Sequence, residues 1–290
     1  MNELLANIFT ALVIDENETH YFLQKNGITL RLSKEEGTHE IGEAVEGFGY
    51  MNQKQEPEMT TNIPTARVGQ YAFGTVTGTR RDLGAFVDIG LKDKDVVVSL
   101  DELPVMRELW PKKGDQLMVS LKVDNKERIW GELADEKIFK AMAKPGTEEL
   151  KNENISGIVY RLKMIGSFVL TDDFYIAFIH PSERYQEPRL GERINGRVIG
   201  VRPDGIVNIS LKPRGYEAIS DDAAMILTFL ERSAEHKIPF TDKSNPEEIK
   251  QTFGISKAQF KRAIGNLLKQ GKIIQKAGFT ILKEEQQEKE

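Results

Sequence analysis

The chain has 290 residues and a formal net charge of −5 at pH 7, and 39% of its residues are hydrophobic and 29% charged. A chain of this length has room for about two to four domains. Its acidic balance argues against a surface that attracts nucleic acid everywhere. It contains no cysteine, which excludes disulfide bonds and thiolate metal sites and fits a reducing compartment.

Two further features of the sequence indicate a cytoplasmic protein with no membrane partner. No apolar run approaches the ~20 residues that a membrane-spanning helix needs. The N-terminal segment MNELLANIFTALVIDENE has neither a positively charged start nor a small-residue cleavage site, so it does not have the pattern of a signal peptide.

Residues 1–63 are predicted to form a small β-barrel. This barrel lacks the spacing of glycine and aromatic residues that marks the two barrels after it, so we interpret it as a degenerate relative of them. Short stretches of alternating apolar residues indicate strands at 7–14, 19–23, 27–32 and 44–51.

One spacing of glycines, β-branched residues and aromatic residues occurs twice in the middle of the chain, which indicates a repeat. The two copies are predicted to form barrels at 66–138 and 152–213, with a short connecting helix within 134–144. The matching segments are GTV at 74–76 and GAFV at 84–87 in the first copy, and GIV at 157–159 and GSFV at 166–169 in the second.

The second copy continues the pattern over its whole length. Five short strands with a long connection after the third are typical of a Greek-key OB barrel. The later segments are FIHPS at 178–182, LGERI at 190–194 and DGIVNISL at 204–211. The complete pattern resembles the S1 RNA-binding domain.

The S1 resemblance implies that Phe168 and His180 lie side by side on one outer face of the barrel. Flat rings there could stack on unpaired bases, and Tyr160 is predicted to belong to the same RNA-binding surface. A phenylalanine in a strand is more often a core residue, but Val169 and its alternating partners already supply the inward side chains. We therefore expect Phe168 to face outward.

The barrel at 66–138 departs from this pattern at one position. It keeps Phe86, but Ser99 stands where the other barrel has His180, and Asp101 adds a negative charge beside it. We expect this barrel to bind RNA more weakly or to act as a spacer. Its predicted phosphate or stacking partners are Arg80, Arg81 and Arg128.

The hydrophobic period becomes helical near the end of the sequence, where residues 219–283 are predicted to form a winged helix. Apolar residues at helical spacing indicate a first helix within 220–236. Asn245-Pro246 begins a second helix, and Ser256 with Gln259 begins a third through a capping box. A short hairpin after the third helix would form the wing.

The third helix and the hairpin carry seven basic residues and no acidic one between Ser256 and Lys283. In a chain that is acidic overall, this asymmetry predicts contacts with phosphates. The alternative is a solvated face on a winged helix that binds protein. A charged tail is predicted at 284–290. The residues assigned to nucleic acid are Lys257, Lys261, Arg262, Lys272 and Lys276.

The order of these domains, with ISKAQFKRAIGNLLKQGKI at 255–273, resembles the conserved virulence factor B family of bacterial RNA-binding proteins. The predicted fold class is mainly β with a C-terminal α+β domain: three tandem OB-fold, S1-like, five-stranded barrels followed by a winged helix. The resemblance implies a cytoplasmic protein that binds RNA and influences gene expression after transcription. It identifies no catalytic residue.

Nothing in the sequence indicates an enzyme. The four histidines lack the spacing of metal ligands, and no serine stands in a nucleophile elbow. We therefore predict a non-catalytic protein with no cofactor and no metal.

Single-stranded RNA is the predicted partner. The first alternative is a transcriptional regulator that reads duplex DNA with its winged helix, and the second is a protein-interaction scaffold on RNA machinery. A monomer is predicted because the sequence shows no coiled coil and no apolar surface stripe.

Overall fold

The computed structural model describes residues 3–212, 215–233 and 235–283, without the side chains of 215–220. These residues fall into two compact units, Met1–Lys212 and Pro213–Glu290. The predicted charged tail lies outside the described residues.

The first barrel has the five predicted strands, although the alternating apolar pattern in the sequence marked only four of them. The fifth strand, β5 (Pro57–Thr60), is only four residues long and begins with a proline, so it lacks a local strand pattern. It forms because it pairs antiparallel with β4 (Ala44–Met51) and parallel with β3 (Ile28–Ser33). The strands are β1 (Ile8–Glu16), β2 (His20–Lys25), β3 (Ile28–Ser33), β4 (Ala44–Met51) and β5 (Pro57–Thr60).

The other two barrels have the same topology as the first. Within each barrel, counted in sequence order, the third strand pairs with the fifth and the fifth pairs with the fourth, and the sheet is closed. The strands of the second are β6 (Ala72–Arg80), β7 (Gly84–Asp88), β8 (Val96–Ser99), β9 (Gln116–Val123) and β10 (Ile129–Leu133). Those of the third are β11 (Asn154–Lys163), β12 (Gly166–Thr171), β13 (Ile176–Ile179), β14 (Arg193–Val201) and β15 (Val207–Ser210). The predicted three five-stranded barrels are confirmed.

A bulge bends the first strand of every barrel at a corresponding place. The pairing register shifts after Val13 in β1, after Val76 in β6 and after Val159 in β11. An extra residue there increases the local twist and allows one long strand to pair with both of its neighbours. Each bulge thus helps to close its barrel.

The three barrels share buried contacts within the first unit. Phe48 of β4 is fully buried in the core of the second barrel. The connecting helix α1 (Glu136–Met142) buries Phe139 against Met118 of the second barrel and Leu170 of the third. Arg189 and Asp115 add an ion pair with an N–O distance of 3.1 Å.

The second unit has the helices and the hairpin of the predicted winged helix. Ser256 and Gln259 form the predicted capping box, and Asn245 accepts the backbone N–H of Glu247 at 2.9 Å. Phe260 and Ile264 of the third helix are buried in the core. The elements are α2 (Gly215–Arg232), β16 (Lys237–Ile238), α3 (Pro246–Phe253), α4 (Lys257–Lys269), β17 (Ile273–Lys276) and β18 (Phe279–Leu282).

Candidate nucleic-acid interface

Three rings from two neighbouring strands form an aromatic face on the third barrel: Phe168, Phe178 and His180. The ring centroids of Phe168 and Phe178 are 5.1 Å apart, and those of Phe178 and His180 are 6.5 Å apart. Phe168 pairs across the strands with Phe178, and His180 follows Phe178 by two positions, so all three project to one side. The adjacent Val169 and Ile179 are fully buried.

The structure differs from the expected arrangement in one respect. Phe168 and His180 share a face, but Phe178 contacts both of them instead of leaving them side by side. Its position two residues before His180 was the available sequence signal, because alternate residues of a strand share a face. Phe178 is only 5% exposed.

Arginine and asparagine side chains cover the centre of the aromatic face. The guanidinium carbon of Arg202 lies 4.3 Å from the centroid of the Phe178 ring. Its Nε donates to Oδ1 of Asn208 at 2.9 Å, which holds the cation over the ring. Arg202, Asn208, Phe178 and His180 line an open groove of about 420 Å³. The sequence did not point to Arg202 or Asn208, because both are distant in sequence from the rings. Arg202 directly follows β14, and Asn208 lies in β15 opposite Phe178.

The His180 ring is oriented by local hydrogen bonds. Its Nδ1 accepts the backbone N–H of Ser182 at 3.2 Å and lies 2.7 Å from the Ser182 hydroxyl oxygen. This arrangement caps a short 3-10 helix, Pro181–Glu183. With Nδ1 as acceptor, the neutral ring carries its proton on Nε2. The exposed ring is therefore available for stacking in one fixed orientation.

Tyr160 lies at the edge of the aromatic face and is covered by helix α1. Its ring stacks on Phe139 with centroids 3.9 Å apart and an interplanar angle of 19°. Burial raises the pKa of the Tyr160 hydroxyl to about 12. One ring face is thus occupied from within the chain, and Tyr160 supports Phe168, whose centroid is 6.3 Å away.

Lys163 connects the aromatic face to helix α1. Its ammonium lies 5.1 Å from the centroid of the Phe168 ring and 2.9 Å from a carboxylate oxygen of Glu136. Hydrogen bonds from Lys163 and Lys140 lower the pKa of Glu136 to about 2. The cation beside Phe168 is therefore partly neutralised.

The second barrel has different residues at the corresponding positions. Phe86 is half-buried and pairs with Val97, where the third barrel has Phe178. Val97 is in register with Trp130, where the third barrel has Asn208. Ser99 occupies the position of His180, as predicted. Each of the two residues caps the 3-10 helix that follows its strand.

Two of the three predicted cations of the second barrel, Arg80 and Arg128, are held in ion pairs. Arg81 is exposed and forms no ion pair within the described residues. Arg128 lies over the Trp130 ring at 5.2 Å and pairs with Asp124 at 2.7 Å. Asp124 also accepts the indole N–H of Trp130 at 3.0 Å, and the hydrogen bond from Arg128 holds its pKa well below the ordinary value. Arg80 pairs with Asp82 at 2.6 Å.

The first barrel keeps an aromatic residue, Phe22, at the position of Phe168 but has Arg31 at the position of Phe178. Phe22 pairs with Arg31, and Arg31 forms an ion pair with Glu56. Arg31 is in register with Glu58, which accepts the Tyr50 hydroxyl at 2.7 Å. The third barrel therefore differs from the other two. Its groove is lined by two rings and by Arg202, which forms no ion pair within the described residues.

The basic residues predicted for the winged helix lie on α4 and the hairpin. Lys261, Arg262, Lys272 and Lys276 are exposed, and Lys257 is half-buried. Within the described part of the chain, none of these five side chains forms an ion pair. Asp222 of α2, whose pKa is raised by burial, interacts electrostatically with Arg262.

Family models match four consecutive parts of the chain. An S1 domain matches 7–62, the first S1-like domain of CvfB matches 71–132, the second domain of the virulence regulatory factor CvfB matches 139–213, and the CvfB-like winged helix domain matches 224–282. Conserved virulence factor B of Staphylococcus epidermidis is 40% identical over 266 residues, which cover 90% of this chain and 88% of that protein. The chain belongs to the conserved virulence factor B family. The resemblance found in the sequence is thereby confirmed.

Two further relatives of this family member cover nearly the whole chain. Uncharacterized protein YitL of Bacillus subtilis is 42% identical over 276 residues, covering 94% of this chain and 92% of that protein. A crystal structure of a multidomain protein with nucleic acid binding domains from Streptococcus pneumoniae is 52% identical. Its TM-score is 0.72, and the match covers 97% of this chain and 99% of that one.

None of the helices that the structure describes is long and apolar enough to cross a membrane. Across the same described residues, no group of three or more histidine and acidic side chains is placed to hold a metal ion.

Proposed function

We propose that this member of the conserved virulence factor B family is a non-catalytic protein that binds single-stranded RNA on the aromatic face of the third barrel. The observation that carries the proposal is the difference between the three barrels. Arg202 lies over an aromatic ring and forms no ion pair within the described residues, whereas Arg31 and Arg128 on the other barrels are paired with carboxylates. The rings of Phe168 and His180 both lie next to the Phe178 ring that this arginine covers.

The chemistry of the face suits unpaired bases. Stacking of a base on an aromatic side chain contributes ~1–3 kcal/mol per base and depends little on which base it is. Arg202 would attract the phosphates between the stacked bases, and Lys163 would contribute less because it is paired with Glu136. A local site of this kind is compatible with a chain whose net charge is −5.

The winged helix would add phosphate contacts through Lys257, Lys261 and Arg262 on α4 and through Lys272 and Lys276 near the wing. The proposed role is that of a cytoplasmic monomer that regulates gene expression after transcription. The names of the staphylococcal relatives support a connection with virulence, and the description of the Streptococcus pneumoniae structure supports nucleic acid binding.

The test is a titration of the full chain into labelled single-stranded RNA and duplex DNA at two salt concentrations. The variant Phe168→Ala/His180→Ala removes two stacking rings, which together contribute ~2–6 kcal/mol, so we expect RNA affinity to fall by about 30-fold or more. Fluorescence anisotropy measures both affinities. Circular dichroism checks that the variant remains folded.

A matched variant in the second barrel is the control. Phe86→Ala/Ser99→Ala changes the equivalent positions on a barrel where Arg80 and Arg128 are already paired with carboxylates, and it should alter RNA affinity by less than about threefold. Equal losses for the two double variants would contradict the assignment to the third barrel.

A DNA-binding regulator is the second candidate function, favoured by the cationic surface of α4. In that case duplex DNA would bind more tightly than single-stranded RNA, and Phe168→Ala/His180→Ala would leave the affinity unchanged.

A further inference from the structure

Gly265 lies inside helix α4, where the fold does not require a glycine. It is exposed, and a Cβ atom placed there would meet no heavy atom within 4 Å. Glycine weakens a helix interior because it loses the most backbone freedom on folding. By contrast, Gly271 after the helix has a φ of +69°, which a side chain would strain. The described structure thus explains Gly271 but not Gly265.

The neighbours of Gly265 on the helix surface are long and mostly cationic. Lys261 and Lys269 stand four positions before and after it, and Arg262 and Leu268 stand three positions before and after it. Residues three or four apart share one side of a helix, and all four of these are exposed. Gly265 is therefore the floor of a shallow depression with cations on both sides.

The chemistry of this α4 face differs from that of the aromatic face. Its exposed residues include no aromatic ring on which an unpaired base could stack, and no carboxylate. Lys261 and Lys269 form no ion pair within the described residues. The face consequently suits a regular array of phosphates more than it suits bases.

We propose that the exposed face of α4 binds the sugar–phosphate backbone of a nucleic-acid duplex, with Gly265 as the point of closest approach. The missing side chain lets a ribose or phosphate reach the main chain of the helix, while Lys261 and Lys269 contact the phosphates on either side. The proposal rests on the proposed nucleic-acid-binding function and adds a second class of substrate to it.

The deciding experiment is Gly265→Ala in the full chain, because this change should raise the stability of the helix and lower the affinity for a duplex. Alanine favours the helix and fits the open space, so the Tm of the winged-helix transition should rise by about 2–6 °C. The added methyl group should hold the duplex away and weaken its binding by about fivefold or more. Affinities are measured with a blunt RNA duplex, a DNA duplex of the same sequence and single-stranded RNA.

Further variants separate the methyl group from other causes. Gly265→Gln should weaken duplex binding more than Gly265→Ala does. Lys261→Gln/Lys269→Gln should weaken it with a smaller dependence on salt and without a rise in Tm. The control is Gly78→Ala in β6, where a Cβ would also meet no heavy atom within 4 Å, and it should leave duplex binding unchanged.

The outcomes distinguish this inference from the proposed function. Duplex binding of Gly265→Ala within twofold of the wild type overturns the contact at Gly265, and so does a wild-type chain that binds single-stranded RNA but neither duplex. A wild-type chain that binds none of the three probes overturns the proposed function itself. The ratio of the affinities for the RNA duplex and the DNA duplex shows which of the two backbones the α4 face prefers.

Discussion

Arg202 of the third barrel and Arg128 of the second each lie over an aromatic ring, at 4.3 Å and 5.2 Å. They differ in their polar partners. Arg202 donates to the neutral amide of Asn208, whereas Arg128 is paired with the Asp124 carboxylate. Because a phosphate must compete with an existing carboxylate partner, Arg202 is the better of the two for binding RNA.

We expect Arg202→Gln to reduce single-stranded RNA affinity by about tenfold, since one charged hydrogen-bonding group is lost. The slope of log affinity against log salt should become shallower by about 0.7, because one fewer phosphate is neutralised. The measurement is anisotropy at several salt concentrations. Arg128→Gln is the matched control, and an equal effect from it would rule out the distinction between the two arginines.

At the scale of elements, helix α1 limits the charge beside the aromatic face. Glu136 at its start binds Lys163 of β11 at 2.9 Å and Lys140 at 3.0 Å. The same Lys163 ammonium lies 5.1 Å from the Phe168 ring. The helix therefore places a carboxylate where RNA phosphates would approach.

Glu136→Gln should raise RNA affinity by about two- to fivefold, because it removes a nearby negative charge and releases Lys163 for phosphate. Glu132→Gln, which changes another carboxylate on the chain, serves as the control and should have no such effect. An unchanged or lower affinity for Glu136→Gln would show that Lys163 does not contact RNA.

The same carboxylate predicts a pH dependence of stability. The pKa of Glu136 is about 2 in the folded chain, below its ordinary value of 4.5. Its contribution to folding is therefore fully present above pH 4.5 and is lost as the pH falls towards 2. NMR titration of the Glu136 side chain should give a midpoint near 2 in the wild type and a higher one in Lys163→Met.

At the scale of the whole molecule, the first unit depends on contacts between barrels. Arg189 of the third barrel bonds Asp115 of the second through two nitrogens, at 3.2 Å and 3.1 Å. Asp115 is only 9% exposed. The hydrogen bonds that Arg189 donates to the Asp115 carboxylate raise the pKa of Arg189. Loss of the arginine would leave a largely buried carboxylate without its cation.

Arg189→Met should lower the free energy of unfolding of the first unit by about 1–3 kcal/mol. Its native-state affinity for single-stranded RNA should remain unchanged, because Arg189 lies outside the aromatic face. Urea denaturation measures the first quantity and anisotropy the second. The control Arg193→Met breaks an exposed pair with Asp172, which is worth at most about 1 kcal/mol. Similar losses for both variants would show that burial of the pair is unimportant.

The sequence by itself determined the elements whose signals are local. The repeated GAFV and GSFV segments indicated two related barrels, and the caps at Asn245 and Ser256 marked the starts of α3 and α4. Helix caps and alternating strand patterns act over a few residues, so they can be recognised without the fold. The outward position of Phe168 followed from the same alternation.

Only the tertiary structure decided what these elements meet. Strand β5 forms because β3 and β4 offer it partners, and Phe139 covers Tyr160 because α1 packs beside β11. Arg202 reaches Phe178 across strands that are distant in sequence. A side chain's partners depend on strand register and on packing between elements, which are non-local, and these partners distinguish the groove of the third barrel from its counterparts on the other two.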